Sequence, residues 1–348
     1  MAGAVYVGAA KWDAADRKSK TQGLFSLDDG TGEWRSLNHG LPDDVEVRSI
    51  LLAPDEAIFA GTQDGPYRSD DGGESWRSLG LEGEVVWSIL RHPNDPETLY
   101  VGAQDLRIFR SSDGGENWDK LPAVEPAGIC HMGFPSRVID MTLNPANPDE
   151  IYAGIEVGGV LRSLDGGESW EDCCGDLLRL AGEEHLKSQI GSDTDTEGMM
   201  DSHALAVSAE RPGTVFLATR MGLFSSADKG EIWREMGIGR FSDLTYARDL
   251  HVSPHDPRVM YAALSIAAAS DEGSLYRSGD LGESWTRFDR DISIHSTLMT
   301  VAMSAKTPDR VYCAARRGQV FGTEDGGETW REFPLPDGVE GVYAVACA

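Results

Sequence analysis

The chain has 348 residues, with 31 Lys and Arg against 58 Asp and Glu and a formal charge of −27, which disfavours nonspecific binding to nucleic acid or an anionic membrane. Forty glycines, sixteen prolines and short apolar runs between turn signals argue for many short strands, and few windows hold a helical apolar spacing for long. No segment approaches the ~18 apolar residues that a membrane-spanning helix needs.

At the N-terminus, MAGAVYVGAA carries an apolar stretch too short for a secretory signal and no basic residue before it, which points to a soluble, cytoplasmic protein. The five cysteines (Cys130, Cys173, Cys174, Cys313 and Cys347) are irregularly spaced and match no zinc or disulfide framework. Reduced thiols are the expectation.

Two predicted strands, AVYVGAA and GLFSLDD, lead into the phrase SLDDGTGEW. From there a unit recurs: an apolar strand, a Pro/Asn/Asp turn, a second strand ending in small residues, a loop, and a third strand entering Ser/Thr-x-Asp-x-Gly-x-x-Trp. The phrase stands at Ser69/Asp71/Gly73/Trp76, Ser111/Asp113/Gly115/Trp118, Ser163/Asp165/Gly167/Trp170, Ser226/Asp228/Gly230/Trp233, Ser278/Asp280/Gly282/Trp285 and Thr323/Asp325/Gly327/Trp330. A looser copy uses Ser26, Asp28, Gly30 and Trp34. Four short strands per unit, at a period of about forty residues, predict propeller blades. Within the phrase, Asp and Ser can bond the backbone of their own turn, glycine supplies positive φ, and the indole covers the apolar side. The phrase is therefore read as a fold marker.

These residues resemble the Asp-box (BNR) repeats of sialidases, sortilin-type receptors, xyloglucanase-type glycosidases and a photosystem II assembly factor, over essentially the whole chain. The resemblance implies an all-β fold, a single seven-bladed β-propeller over residues 1–348 with four-stranded blades. It implies no single activity, since such relatives include hydrolases, receptors and assembly factors. A standard sialidase is not expected: the resemblance would require an Arg-Ile-Pro element and six blades. Xyloglucanase-type enzymes use two propellers, and this sequence supplies one. The C-terminal GVEGVYAVACA offers an innermost strand with no box after it, so the two ends should complete the closing blade together.

Box tryptophans are 42, 42, 52, 63, 52 and 45 residues apart from Trp34 to Trp330, so extra chain sits between Trp118 and Trp285. The main insertions are 126–137 and 177–202. Strand order places them, with the loops between second and third strands, on the face opposite the boxes. Long loops on one face of a rigid disc are a usual place for a site. Residues Asp176 to Ser188 read either as a short amphipathic helix lying as a lid or as a flexible insertion.

On that face His131, His203 and His295 are the candidate catalytic residues, with His185 nearby and His251 deeper. His131, His203 and His295 could also hold one divalent transition metal ion, or serve in packing and hydrogen bonding. Their positions in the repeat do not place them in one ring. Cations gather there too: Lys11, Arg48, Arg107, Arg137, Arg220, Arg248, Arg316 and Arg317. Arginine forks suit carboxylate, sulfate or phosphate, or pair with local acids. Asp64 and Asp105, in matching loops, are either a glycosidase pair or turn acids. Cys130 beside His131 is a further thiol-imidazole candidate.

The reading that follows is an intracellular enzyme of hydrolase or lyase type, metal-assisted or not. It would act on a small polar, anionic ligand in the axial pocket under the two insertions. Arg48, Arg137 and Arg248 would neutralise the ligand, with Trp87 and Tyr246 as walls. The alternatives are a non-catalytic scaffold for a protein partner and a glycan-binding module using Trp12, Trp87 and Tyr246.

Overall fold

The computed structural model describes residues 4–10, 22–28, 31–189 and 191–348. Its strands form seven antiparallel sheets of four, a seven-bladed β-propeller. Six blades take consecutive strands, beginning from the innermost strands Val47–Leu52, Val86–Arg91, Val138–Asn144, Ser202–Val207, Tyr246–Val252 and Leu298–Met303. The seventh pairs Val342–Cys347 with Val5–Ala9, followed by Gly23–Leu27 and Trp34–Ser36, so both ends of the chain complete one blade as the sequence predicts.

Strands apolar on both faces appear where blades stack, as in Ile58–Thr62 and Leu99–Ala103, buried throughout. The small residue near the end of the second strand has a packing cause. A Cβ added to Gly61 would lie 2.7 Å from Val86 Cγ1, and one on Gly102 2.6 Å from Val138 Cγ1. Glycine there lets the innermost strand of the next blade approach.

Hydrogen bonds separate the two faces of the disc. On one, box amides meet the turn between first and second strands, as with Gly114 N to Glu97 O and Gly166 N to Asp149 O. On the other, the second-to-third-strand loops meet the start of the innermost strands, as with Gln104 N to Val85 O, Glu156 N to Arg137 O and Arg220 N to Asp201 O.

In the six regular boxes the Ser or Thr and the Asp bond within their own turn. Ser69 Oγ donates to Asp71 Oδ1 at 2.8 Å and accepts from Gly73 N at 2.8 Å, while Asp71 accepts from Ser75 N at 2.9 Å and from Ser75 Oγ at 2.6 Å. In four boxes the indole then fastens one blade to the one before it, with Trp34 Nε1 donating to Phe333 O at 3.0 Å, Trp76 to Leu37 O at 2.8 Å, Trp118 to Leu79 O at 2.7 Å and Trp233 to Cys173 O at 3.1 Å, whereas Trp285 bonds Gly282 O of its own box.

The insertions fold onto one another. A helix, Gly175–Ala181, and a 3-10 turn, Glu184–Leu186, replace the single helix expected over 176–188. Leu177, Leu180, Ala181 and Leu186 are buried in one cluster with Cys130, Cys174, Met199 and Met200, against which Met132 and Phe134 pack. All five cysteines are buried and free. No helix among the described residues is long and apolar enough to cross a membrane.

Candidate functional site at the axial mouth

Near its start, each innermost strand skips one residue in its pairing with the second strand. Such a bulge re-aims the skipped side chain. Going round the ring, the skipped residues are Arg48, Trp87, Ile139, His203, Arg248, Met299 and Tyr343. All seven line one axial cavity of about 310 Å³. A wider cavity of about 670 Å³ lies under Met132, Phe134 and Pro135 of the first insertion and includes Glu197 and Asp201 of the second. His203, Arg248 and Tyr343 belong to both, so the bulge ring joins an inner chamber to the mouth.

Two of its arginines stack on one indole. The guanidinium carbons of Arg48 and Arg137 sit 4.9 and 4.3 Å from the Trp87 ring centre, and Arg137 is also 4.6 Å from that of Phe134. Arg48 pairs with Glu46, and Arg137 NH1 with Glu156 Oε2 at 2.7 Å. Arg48 Nε and NH1 and Arg137 Nε are buried without a hydrogen bond. Burial pushes the Arg48 pKa below its ordinary value, with Glu46 opposing. Trp87 thus braces cations, with its other neighbour Tyr343 edge-on at 5.6 Å, and is not a bare wall for a ligand.

Arg248 differs from both. It is 8% exposed, lines both cavities, and makes no hydrogen bond or ion pair to any described residue. Burial opposes its charge, yet Tyr246, Glu156, Tyr343 and Asp201 together hold its pKa above the ordinary arginine value. It is a buried cation with a field around it and no direct partner.

His203 sits at the end of a buried chain of contacts that begins in the second insertion. Glu197, fully buried, accepts from Gly191 N, Ser192 N and Ser192 Oγ at 2.8 to 2.9 Å through one oxygen, and from Arg220 NH1 at 3.0 Å through the other. Arg220 grips Asp201 Oδ2 with Nε at 2.9 Å and NH2 at 2.7 Å. The same oxygen lies 3.3 Å from His203 Nε2. His203 Nδ1 is 2.7 Å from the Ala247 carbonyl, so that nitrogen carries the proton, and Nε2 faces Asp201 and the Tyr246 hydroxyl at 3.4 Å. Burial works against the Asp201 charge, but His203 and Arg220 hold its pKa well below the carboxylate range. Burial pushes the Tyr246 hydroxyl up, so it stays protonated at neutral pH.

The remaining predicted residues fall elsewhere. His131 and His295 are exposed and line neither axial cavity. Among the described residues no group of three or more His, Cys, Asp or Glu is gathered closely enough to hold a metal ion. The set His131, His203 and His295 is therefore not assembled, because the insertion carrying His131 turns that side chain outward while burying Cys130. Asp64 caps Gly83 N at 2.6 Å, and Asp105, at positive φ, pairs with Arg107 NH2 at 2.6 Å; neither lines the axial cavities. Tyr246 is buried beside His203, not exposed on a rim. Lys11 and Trp12 lie outside the described residues. Tyr343, Asp201 and Glu197 were not expected. Tyr343 shares a repeat column with Arg48, Trp87, His203 and Arg248, a signal that alignment of the innermost strands on their bulge carries.

No family model matches the chain. A xyloglucanase of Acetivibrio thermocellus is 22% identical over 222 residues, which is 56% of this chain and 25% of that protein. The chain thus spans a quarter of the length of this curated relative. Among solved structures, the GH74 xyloglucanase of Xanthomonas campestris superimposes with a TM-score of 0.66 at 17% identity, over 90% of this chain and 51% of that one. YCF48 of Cyanidioschyzon merolae does so with a TM-score of 0.58 at 17% identity, over 86% of this chain and 88% of that one. A YCF48 structure bound to a D1 peptide gives a TM-score of 0.54 at 15% identity over 84% of this chain. These likenesses bear on the fold, a seven-bladed propeller with hydrolase and non-hydrolase neighbours.

Proposed function

We propose that this propeller takes a small anionic molecule at its axial mouth and acts on it in a hydrolase- or lyase-type reaction in the cytoplasm. The observation that carries the reading is Arg248, a buried guanidinium with no direct partner among the described residues, at the junction of two cavities. A buried charge left unpaired costs free energy, and a bound anion removes that cost. His203 Nε2 and the Tyr246 hydroxyl, side by side in the same wall, are the groups able to accept and donate a proton there. The xyloglucanase likeness supports hydrolase-like chemistry, and five unbridged buried thiols support a reducing compartment.

Titration of the protein with a panel of small anions, at fixed ionic strength, tests the reading. Binding should be saturable in the natural protein and lost in Arg248→Met, while His203→Gln should bind and not turn over. Absence of any saturable anion binding would overturn it. A second reading, a scaffold for a protein partner, has the YCF48 likeness in its favour, because one such neighbour is described as bound to a peptide. That reading predicts peptide binding that survives Arg248→Met.

A further inference from the structure

Resting on the anion-site reading above, we infer that the ligand is a monocarboxylic acid, selected over phosphate and sulfate by the charge balance of the mouth. Arg48 is matched by Glu46 and Arg137 by Glu156. Arg220 is shared between two carboxylates, Glu197 and Asp201. The cations that look like an arginine cluster are therefore spent on one another's acids. Four guanidiniums thus face four carboxylates, and Arg248 alone of the four cations touches none of them.

The surroundings of Arg248 set the ceiling on ligand charge. Glu156 and Asp201 line the same cavity and both act electrostatically on it. A dianion on Arg248 would bring its second charge into a low-dielectric space already holding two carboxylates, where like charges repel strongly. A single carboxylate matches the guanidinium fork with two parallel hydrogen bonds and adds one negative charge where a dianion adds two. The roof above it is largely apolar, formed by Met132, Phe134, Pro135 and Val157, in a cavity of about 670 Å³. Space of that size and lining suits an acid with a ring or hydrocarbon body rather than a bare inorganic ion.

The ring itself supplies a clean variant. Ile139 and Met299 occupy the bulge position that Arg248 occupies in its own blade, so Arg248→Met places in that site a side chain the fold already accommodates. Arg248→Lys retains charge without the planar fork, and Glu156→Gln removes one of the two flanking carboxylates.

The test is calorimetric titration at pH 8 and constant ionic strength with glucuronate, benzoate and lactate, against inorganic phosphate and sulfate. At least one monocarboxylate should bind roughly tenfold or more tightly than either dianion. Arg248→Met should weaken that binding by roughly 30-fold or more and Arg248→Lys by less. Glu156→Gln should narrow the gap by improving phosphate and sulfate. Phosphate or sulfate binding as tightly as every carboxylate, and lost in Arg248→Met, would overturn the carboxylate inference and leave the anion site standing. No binding by either class would remove both.

Discussion

The two faces of this disc are built from the same repeat and treat polar groups in opposite ways. On the box face, Ser69, Asp71 and Ser75 close a loop of short hydrogen bonds, and the arrangement recurs at Asp113, Asp165, Asp280 and Asp325. On the axial face, the equivalent position in seven strands ranges over Arg, His, Trp, Tyr, Ile and Met, and one of its two arginines is buried without a direct partner among the described residues. Where the repeat is uniform it stabilises; where its residues diverge at a shared backbone position, it leaves binding capacity unspent. The stabilising boxes and the proposed site thus lie at different ends of the same strands.

The largest test of that division is Trp233→Ala. Its indole is 1% exposed and fastens one blade to the one before it, so removal should cost about 3–5 kcal/mol in denaturant unfolding. Anion affinity of the molecules that remain folded should be unchanged. Arg248→Met should do the reverse. Ligand affinity should fall by about 2–3 kcal/mol, the worth of hydrogen bonds to a charged group, while the thermal midpoint of the ligand-free protein holds or rises. A large loss of stability in that variant would break the comparison, since it would make Arg248 a structural residue.

Acid offers a third probe. Hydrogen bonds from Ser75, Asn117 and Thr329 hold Asp71, Asp113 and Asp325 down to about 2. Because the folded pKa lies below the unfolded value near ~3.9, these groups contribute stability above about pH 4 that is lost as pH falls through 2. Circular dichroism between pH 5 and 1.5 should show unfolding in that window, and Asp71→Asn should flatten it. The smallest expected effect is Asp71→Ala alone, a fall in thermal midpoint on the order of 2 °C with ligand binding intact.

The fold was legible because each blade repeats a local instruction. Strand, turn, small residue and box recur closely enough that Gly61 and Gly102 find equivalent valines, and the closing blade can be read from two half-units at opposite ends. The site was legible only where it shares that periodicity. Arg48, Trp87, His203 and Arg248 stand in one repeat column, and the structure brings all four to the axis. His131 and His295 lie in aperiodic connections, whose side-chain directions depend on packing that no repeat specifies. Glu197 was hidden for the same reason: its partners Gly191 and Ser192 are local, but Arg220 comes from the loop of the following blade segment. The flexible alternative for the second insertion fails on Leu177, Leu180 and Leu186, which bury together against Met199 and Met200.

The shared seventh blade sets a condition on biosynthesis. Tyr343, in the strand Val342–Cys347, stands in the axial ring between Met299 and Arg48. On the ribosome, six blades can be complete while the axial cavity still lacks one wall and the first strand, Val5–Ala9, still lacks its inner neighbour. The axial ring is therefore closed only once the strand Val342–Cys347 has emerged to pair with Val5–Ala9. Until then the nascent chain holds the parts of a pocket without its enclosure.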